Sequence, residues 1–140
     1  MVDLLDVNVW LALNAPDHIH HGRALKYWRE EAGKRVISCR ATELALLRLL
    51  TSVHAVGSGA LVGAAAWSIA EEWRSQDVEL ETEPAGVDEL LKAWTGSLDI
   101  RGRLWTNAYL AAFAVAGGYR LVSFDRDFRR FPHLHWLHLT

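Results

Sequence analysis

Short apolar runs rich in β-branched residues alternate along this chain with longer stretches of helical spacing, and that alternation restricts the fold more than any other feature. The runs are Val2–Leu5, Val36–Ser38, Val78–Leu80, Leu121–Phe124 and Trp136–Leu139. Between them the spacing predicts helices over Val9–Leu13, His18–Ala32, Thr42–Val53, Leu61–Arg74, Val87–Trp94 and Leu104–Ala116, with Gly33 and the pair Gly117–Gly118 as stop signals. Parallel strands need crossover connections, and those are usually helical. The pattern therefore predicts an α/β fold with a mainly parallel sheet covered on both faces.

With 140 residues, 51% of them hydrophobic, one domain over residues 1–140 is expected, large enough to need neither disulfide nor structural metal. The glycines between Val56 and Gly63 read as a loop, not a linker. A single cysteine, Cys39, rules out an internal disulfide and a zinc knuckle. Fifteen Lys and Arg against seventeen Asp and Glu exclude a chain that grips nucleic acid by bulk charge. The start, MVDLLDVNVW, has no basic leader, and the longest apolar stretch, Ala108–Tyr119, falls well short of the roughly 20 residues a bilayer crossing needs. A soluble, cytoplasmic protein without a membrane partner is the expectation.

Acids fall where the predicted strands end. Asp6 closes the first strand, Glu43 lies in the first turns of the helix after the second, and Asp125 follows Leu121–Phe124 directly. In an open parallel sheet the carboxyl ends of the strands share the edge where ligands bind. Each acid alone reads as a helix cap or a dipole partner. Three on one edge instead predict a divalent cation with oxygen ligands, Mg²⁺ or Mn²⁺, and metal-assisted hydrolysis.

Three blocks carry a resemblance: LLDVNVWLAL, TELALLRLLT and LWTNAYLAAFAVAGGYRLVSFDRDFRRFP. In order and spacing they resemble the motifs of PIN-domain ribonucleases, specifically the VapC toxins of VapBC toxin–antitoxin modules. The resemblance implies a Rossmann-like three-layer α/β/α sandwich and a Mg²⁺- or Mn²⁺-dependent endoribonuclease acting on RNA such as tRNA or rRNA. It also implies a homodimer and a cognate VapB-type antitoxin that sets a basic side chain among the acids. Carried over by position, Asp6, Glu43 and Asp125 match acidic catalytic and metal-site residues, and Asn8 matches a small polar supporting residue. Asn107 stands where the family usually has Asp. An amide offers one neutral oxygen but neither charge nor base, so activity reduced relative to an Asp at this position is expected.

Asp127 is expected to support the site or to pair with Arg129 or Arg130, while Asp3 and Asp99 are expected to be solvated. Arg40, Arg48, Arg101, Arg103, Arg126, Arg129 and Arg130 flank the acids, with Arg126 and Arg103 the foremost RNA-binding candidates. Trp105, Tyr109 or Trp10 could offer a face to a base, and most of the seven tryptophans are expected in the core. Three rivals stand beside the nuclease. The histidines at 18–21 and 133–138 could ligate zinc or nickel, although the order of residues favours ordinary surface roles. A phosphatase using Asp6 as nucleophile lacks a second Asp at position 8 and a suitably placed lysine among Lys26, Lys34 and Lys92. A PIN-like binding module that does not cut is kept open by Asn107.

Overall fold

Every strand of the central sheet runs in the same direction, which helical crossovers make possible. The computed structural model describes residues 1–140. The strands are β1 (Val2–Leu5), β2 (Arg35–Cys39), β3 (Glu79–Glu81), β4 (Arg120–Ser123) and β5 (Trp136–His138), in the spatial order β3-β2-β1-β4-β5. The helices are α1 (Val7–Asn14), α2 (His21–Lys26), α3 (Arg40–Leu50), α4 (Val53–Val56), α5 (Gly63–Ser75), α6 (Val87–Ser97) and α7 (Leu104–Gly117). Short 3₁₀ turns cover Gly57–Gly59 and Arg126–Arg130.

Side chains alternate across a strand, so neighbouring residues of β1 feed different cores. Leu4 packs with Ile37, Leu121, Phe113 and Trp94, beneath α6 and α7. Leu5 packs with Val36, Val122, Val9 and Leu46, beneath α1, α3 and α5. Two cores on opposite faces of one sheet make the three-layer α/β/α sandwich that the alternation predicts. The run of alanines in α7 keeps that helix close to the sheet, with Ala108, Ala111, Ala112 and Ala114 all buried. It stops at Gly118, whose φ of 71° suits a residue without Cβ and whose N–H bonds back to the last turn. No single helix is long and apolar enough to cross a membrane.

The predicted helix His18–Ala32 is shorter and of two kinds. After α2 the chain widens into a π turn at Tyr27–Glu31, closed by the Ala32 N–H donating to the Tyr27 carbonyl at 2.9 Å. Periodicity near 3.6 cannot distinguish that turn from a continuing α-helix. Thr42–Val53 divides into α3 and α4 where the Thr51 hydroxyl caps the Leu47 and Arg48 carbonyls. Five of the seven tryptophans lie in the two cores or are packed against them, as expected. Trp10 and Trp94 are buried, Trp28, Trp73 and Trp136 are half-buried, and Trp67 and Trp105 are exposed. Trp10, Trp28 and Trp73 meet in tilted and edge-to-face contacts with centroids 4.9–6.2 Å apart, so aromatic contact covers them where the sheet does not.

Asp3 corrects the expectation of a solvated acid. It is fully buried, taking bonds from Arg120 at 2.7 and 2.8 Å, from the Tyr27 hydroxyl at 2.6 Å and from the Gly33 N–H at 2.8 Å. Asp99 is exposed and pairs with Arg101 at 2.6 Å.

Candidate active site

Asp6 leaves β1 at its carboxyl end and opens α1. One carboxylate oxygen accepts the Val7 N–H at 2.7 Å, and the other accepts the Ser123 hydroxyl at 2.7 Å. The residue is 7% exposed. Burial raises its pKa above the usual carboxylate range and the charge of Asp125 adds to the rise, while the bonds from Ser123 and Val7 oppose it.

Ser123, the last residue of β4, joins the two acids. Besides donating to Asp6, its oxygen accepts the Asp125 N–H at 2.9 Å and the Asn8 amide at 3.2 Å. Asn8 in turn accepts the Phe124 N–H at 3.3 Å. Asp125 caps the following 3₁₀ turn by accepting the Asp127 N–H at 2.9 Å, and its second oxygen accepts the Asn107 amide at 3.1 Å. Capping and site roles are thus compatible in Asp6 and Asp125, because one oxygen serves the helix end and the other faces the network. Sequence reasoning missed Ser123. Its signal was a lone hydroxyl in an apolar strand, two residues before Asp125 and hence on the same side of the chain.

Glu43 does not join this network. It is 6% exposed in the first turn of α3, and both its oxygens are held by guanidinium groups. Arg74 of α5 approaches at 2.6, 2.7 and 3.1 Å, and Arg40 at 2.5 Å. No three carboxylate, histidine or cysteine side chains come close enough together to hold a metal ion, so the expected three-acid cluster is not formed. Arg74 offers Glu43 a forked, charge-assisted partner, whereas Asp6 and Asp125 offer repulsion.

The remaining donors fit a hard divalent cation in kind. Asp6, Asp125, Asn8 and Asn107 supply oxygens, and each oxygen of the two carboxylates accepts a single bond, which leaves it a free lone pair. The unfavourable ionisation of Asp6 beside Asp125 is what a bound cation relieves.

Among the flanking cations, Arg126 is exposed and Arg103 is exposed with only a loose 3.8 Å approach to Asp127. Asp127 also meets Arg130 at 3.4 Å. Trp10 is buried and has no face for a base, Tyr109 donates to Glu83 at 2.9 Å, and Trp105 is open. Three of the seven histidines engage the backbone through their rings. The His21 ring lies 2.6 Å from the Ala12 carbonyl, the His138 ring lies 3.0 Å from the Phe124 carbonyl, and His18 accepts the His20 N–H at 3.0 Å.

Fold and edge define a class: a Rossmann-like α/β/α domain with an oxygen-donor site beside β1, where the strand order reverses and such folds bind ligands. The chain belongs to the PIN-domain family, whose model matches residues 4–134. It is 37% identical over 91% of its length to Ribonuclease VapC41 of Mycobacterium tuberculosis, covering 92% of that protein. It is 33% identical to Ribonuclease VapC31 of the same organism over 91% of this chain and 92% of that one. Among solved structures, VapC20 of M. tuberculosis, described as a sarcin-ricin loop cleaving toxin, superposes with a TM-score of 0.70 at 23% identity over 91% of this chain and 92% of that one. VapBC2 from Rickettsia felis, bound to a DNA fragment from its promoter, superposes with a TM-score of 0.72 at 15% identity over the full length of both chains.

Proposed function

We propose that this chain is a metal-dependent endoribonuclease, the toxin of a type II toxin–antitoxin pair, and that it hydrolyses RNA phosphodiester bonds at the carboxyl edge of β1 and β4. The hydrogen-bonded set Asp6, Asn8, Ser123, Asn107 and Asp125, lying at the switch point of a PIN-family chain, carries this reading. The identity to Ribonuclease VapC41 supports it.

Asp6, Asp125 and Asn107 are the residues that would hold Mg²⁺ or Mn²⁺, with Asn8 and Asp127 in support. Glu43 would add its charge only by leaving both Arg74 and Arg40. The ion, when bound, supplies Lewis acidity for attack by water and neutralises charge developing on the phosphoryl oxygens. Ser123 fixes Asp6 and the backbone at Asp125, so both acids are oriented before substrate arrives. Arg103 and Arg126 are exposed cations suited to the RNA backbone. A cognate VapB-type antitoxin would place a basic side chain against the same acids, and the working toxin would be a cytoplasmic homodimer cutting tRNA or rRNA.

Asn107 sets the level of activity. Its amide donates to Asp125 and satisfies part of that carboxylate without adding charge, so the site attracts a cation less strongly than one with Asp there. Cleavage of pooled tRNA and rRNA by this chain and by Asn107→Asp, each with Mg²⁺, Mn²⁺ or EDTA, tests the reading. Metal-dependent cutting that rises in Asn107→Asp is expected, with Mn²⁺ affinity by calorimetry tightened about tenfold or more. Failure of both forms to cut while RNA still binds would favour the binding module over the nuclease.

A further inference from the structure

We infer that His20, stacked on Phe124, is a substrate-positioning residue: a platform for one unstacked nucleobase of an RNA strand lying across the carboxyl edge of the sheet. The inference rests on the ribonuclease reading and adds to it the residue that grips a base.

The rings of His20 and Phe124 lie 4.4 Å apart at 16°, a face-to-face stack. Phe124 sits between Ser123 and Asp125, and its backbone is fixed on both sides. Its N–H donates to Asn8 at 3.3 Å, and its carbonyl lies 3.0 Å from the His138 ring. The side chain packs, half-buried, against the core under α1. His20 is held from behind as well, through its own N–H donating to His18 at 3.0 Å. Burial, with the nearby His20 and His21 rings, lowers the pKa of His18, which favours the unprotonated nitrogen that accepts this bond. An anchored aromatic thus carries an exposed ring at the carboxyl edge of the sheet, one residue along the chain from Asp125 and on the α1 side, opposite to the side chains of Ser123 and Asp125; an exposed π face is what a base recognises when unpaired. Of the aromatics proposed from sequence, Trp10 is buried and Tyr109 is tied to Glu83, while Trp105 is exposed on α7 but is stacked on no second ring.

The test is binding of a short, labelled single-stranded RNA, followed by fluorescence anisotropy in EDTA so that cleavage plays no part. His20→Ala is expected to weaken binding about fivefold or more, and His20→Phe to keep it within about twofold of the parent. The salt dependence of His20→Ala should match the parent, because a stack releases no counterions. Binding by His20→Ala equal to the parent overturns the platform. So does a loss that Phe does not restore and that flattens the salt dependence, which would make His20 a cationic phosphate contact. A thermal melt of both variants separates misfolding from lost binding, and His20→Phe, which retains the cover over Phe124, keeps the test decisive. If the parent itself neither binds nor cuts RNA, the ribonuclease reading fails along with the platform. If the parent binds and His20→Ala is unchanged, only the platform fails.

Discussion

Asp3 and Asp6 are two buried aspartates three residues apart at the two ends of β1, and their surroundings are opposite. Asp3, at the amino end, is surrounded by donors: the Arg120 guanidinium, the Tyr27 hydroxyl and the Gly33 N–H. Its bonds hold Arg120 in the charged form, raising that pKa, and raise the Tyr27 hydroxyl further, on top of the effect of burial. The fit is close, since a Cβ at Gly33 would lie 2.5 Å from the Met1 carbonyl. Asp6, at the carboxyl end, has a hydroxyl, one N–H and a second acid nearby. One end of the strand is electrically complete and the other carries an excess of negative charge. A buried acid whose charge is matched within the fold is a structural element, whereas one left unmatched is arranged for something that comes from outside.

The largest effect should come from breaking the complete end. Asp3→Asn leaves the half-buried Arg120, 18% exposed, beside a neutral partner and should cost about 2–4 kcal/mol in chemical denaturation, somewhat less than breaking a wholly buried pair. A loss below about 1 kcal/mol would mean that the ion pair does not hold β1, β4 and the π turn together.

Glu43 and Arg74 lie between the two extremes, since Glu43 is buried but Arg74 is 39% exposed and solvent screens it. A double-mutant cycle with Glu43→Gln and Arg74→Gln should give a coupling of about 1–2 kcal/mol, between the values for exposed and buried pairs. Zero coupling would place Glu43 free to join Asp6 and Asp125.

The smallest change in stability, and one of opposite sign, should come from the incomplete end. Asp6→Asn removes a charge that the fold disfavours, so at neutral pH without metal the variant should be as stable as the parent or up to about 1 kcal/mol more stable. The sign follows from the raised pKa of Asp6. Below the unfolded carboxylate range the parent carries a protonated Asp6 and loses nothing; as pH rises through the raised native pKa, the parent must bury the charge and loses stability. The advantage of Asp6→Asn over the parent should therefore shrink on acidification, as thermal melts across pH would show. An advantage independent of pH would contradict the assigned cause. The same variant should cut no RNA.

The candidate site was legible in the sequence wherever position along the chain was enough. Asp6 and Asp125 could be placed because each follows a strand directly and the edge of a parallel sheet is shared. Asn107 could be singled out because it interrupts a motif. Glu43 could be placed on its helix but not given a partner, and Asp3 reads as a solvated acid because nothing near it in the chain marks Arg120 or Tyr27 as its neighbours.

The sequence by itself determined the alternation of strands and helices, the two-sided burial of the sheet and the acids at its carboxyl edge, since these follow from periodicity and local ends of elements. Only the tertiary structure decided which charges meet. Asp3 with Arg120 and Asp6 with Ser123 are each 117 residues apart, and Glu43 with Arg74 is 31 apart. Such pairings depend on strand order and on how each helix turns about its axis, and neither is encoded in the spacing of nearby residues.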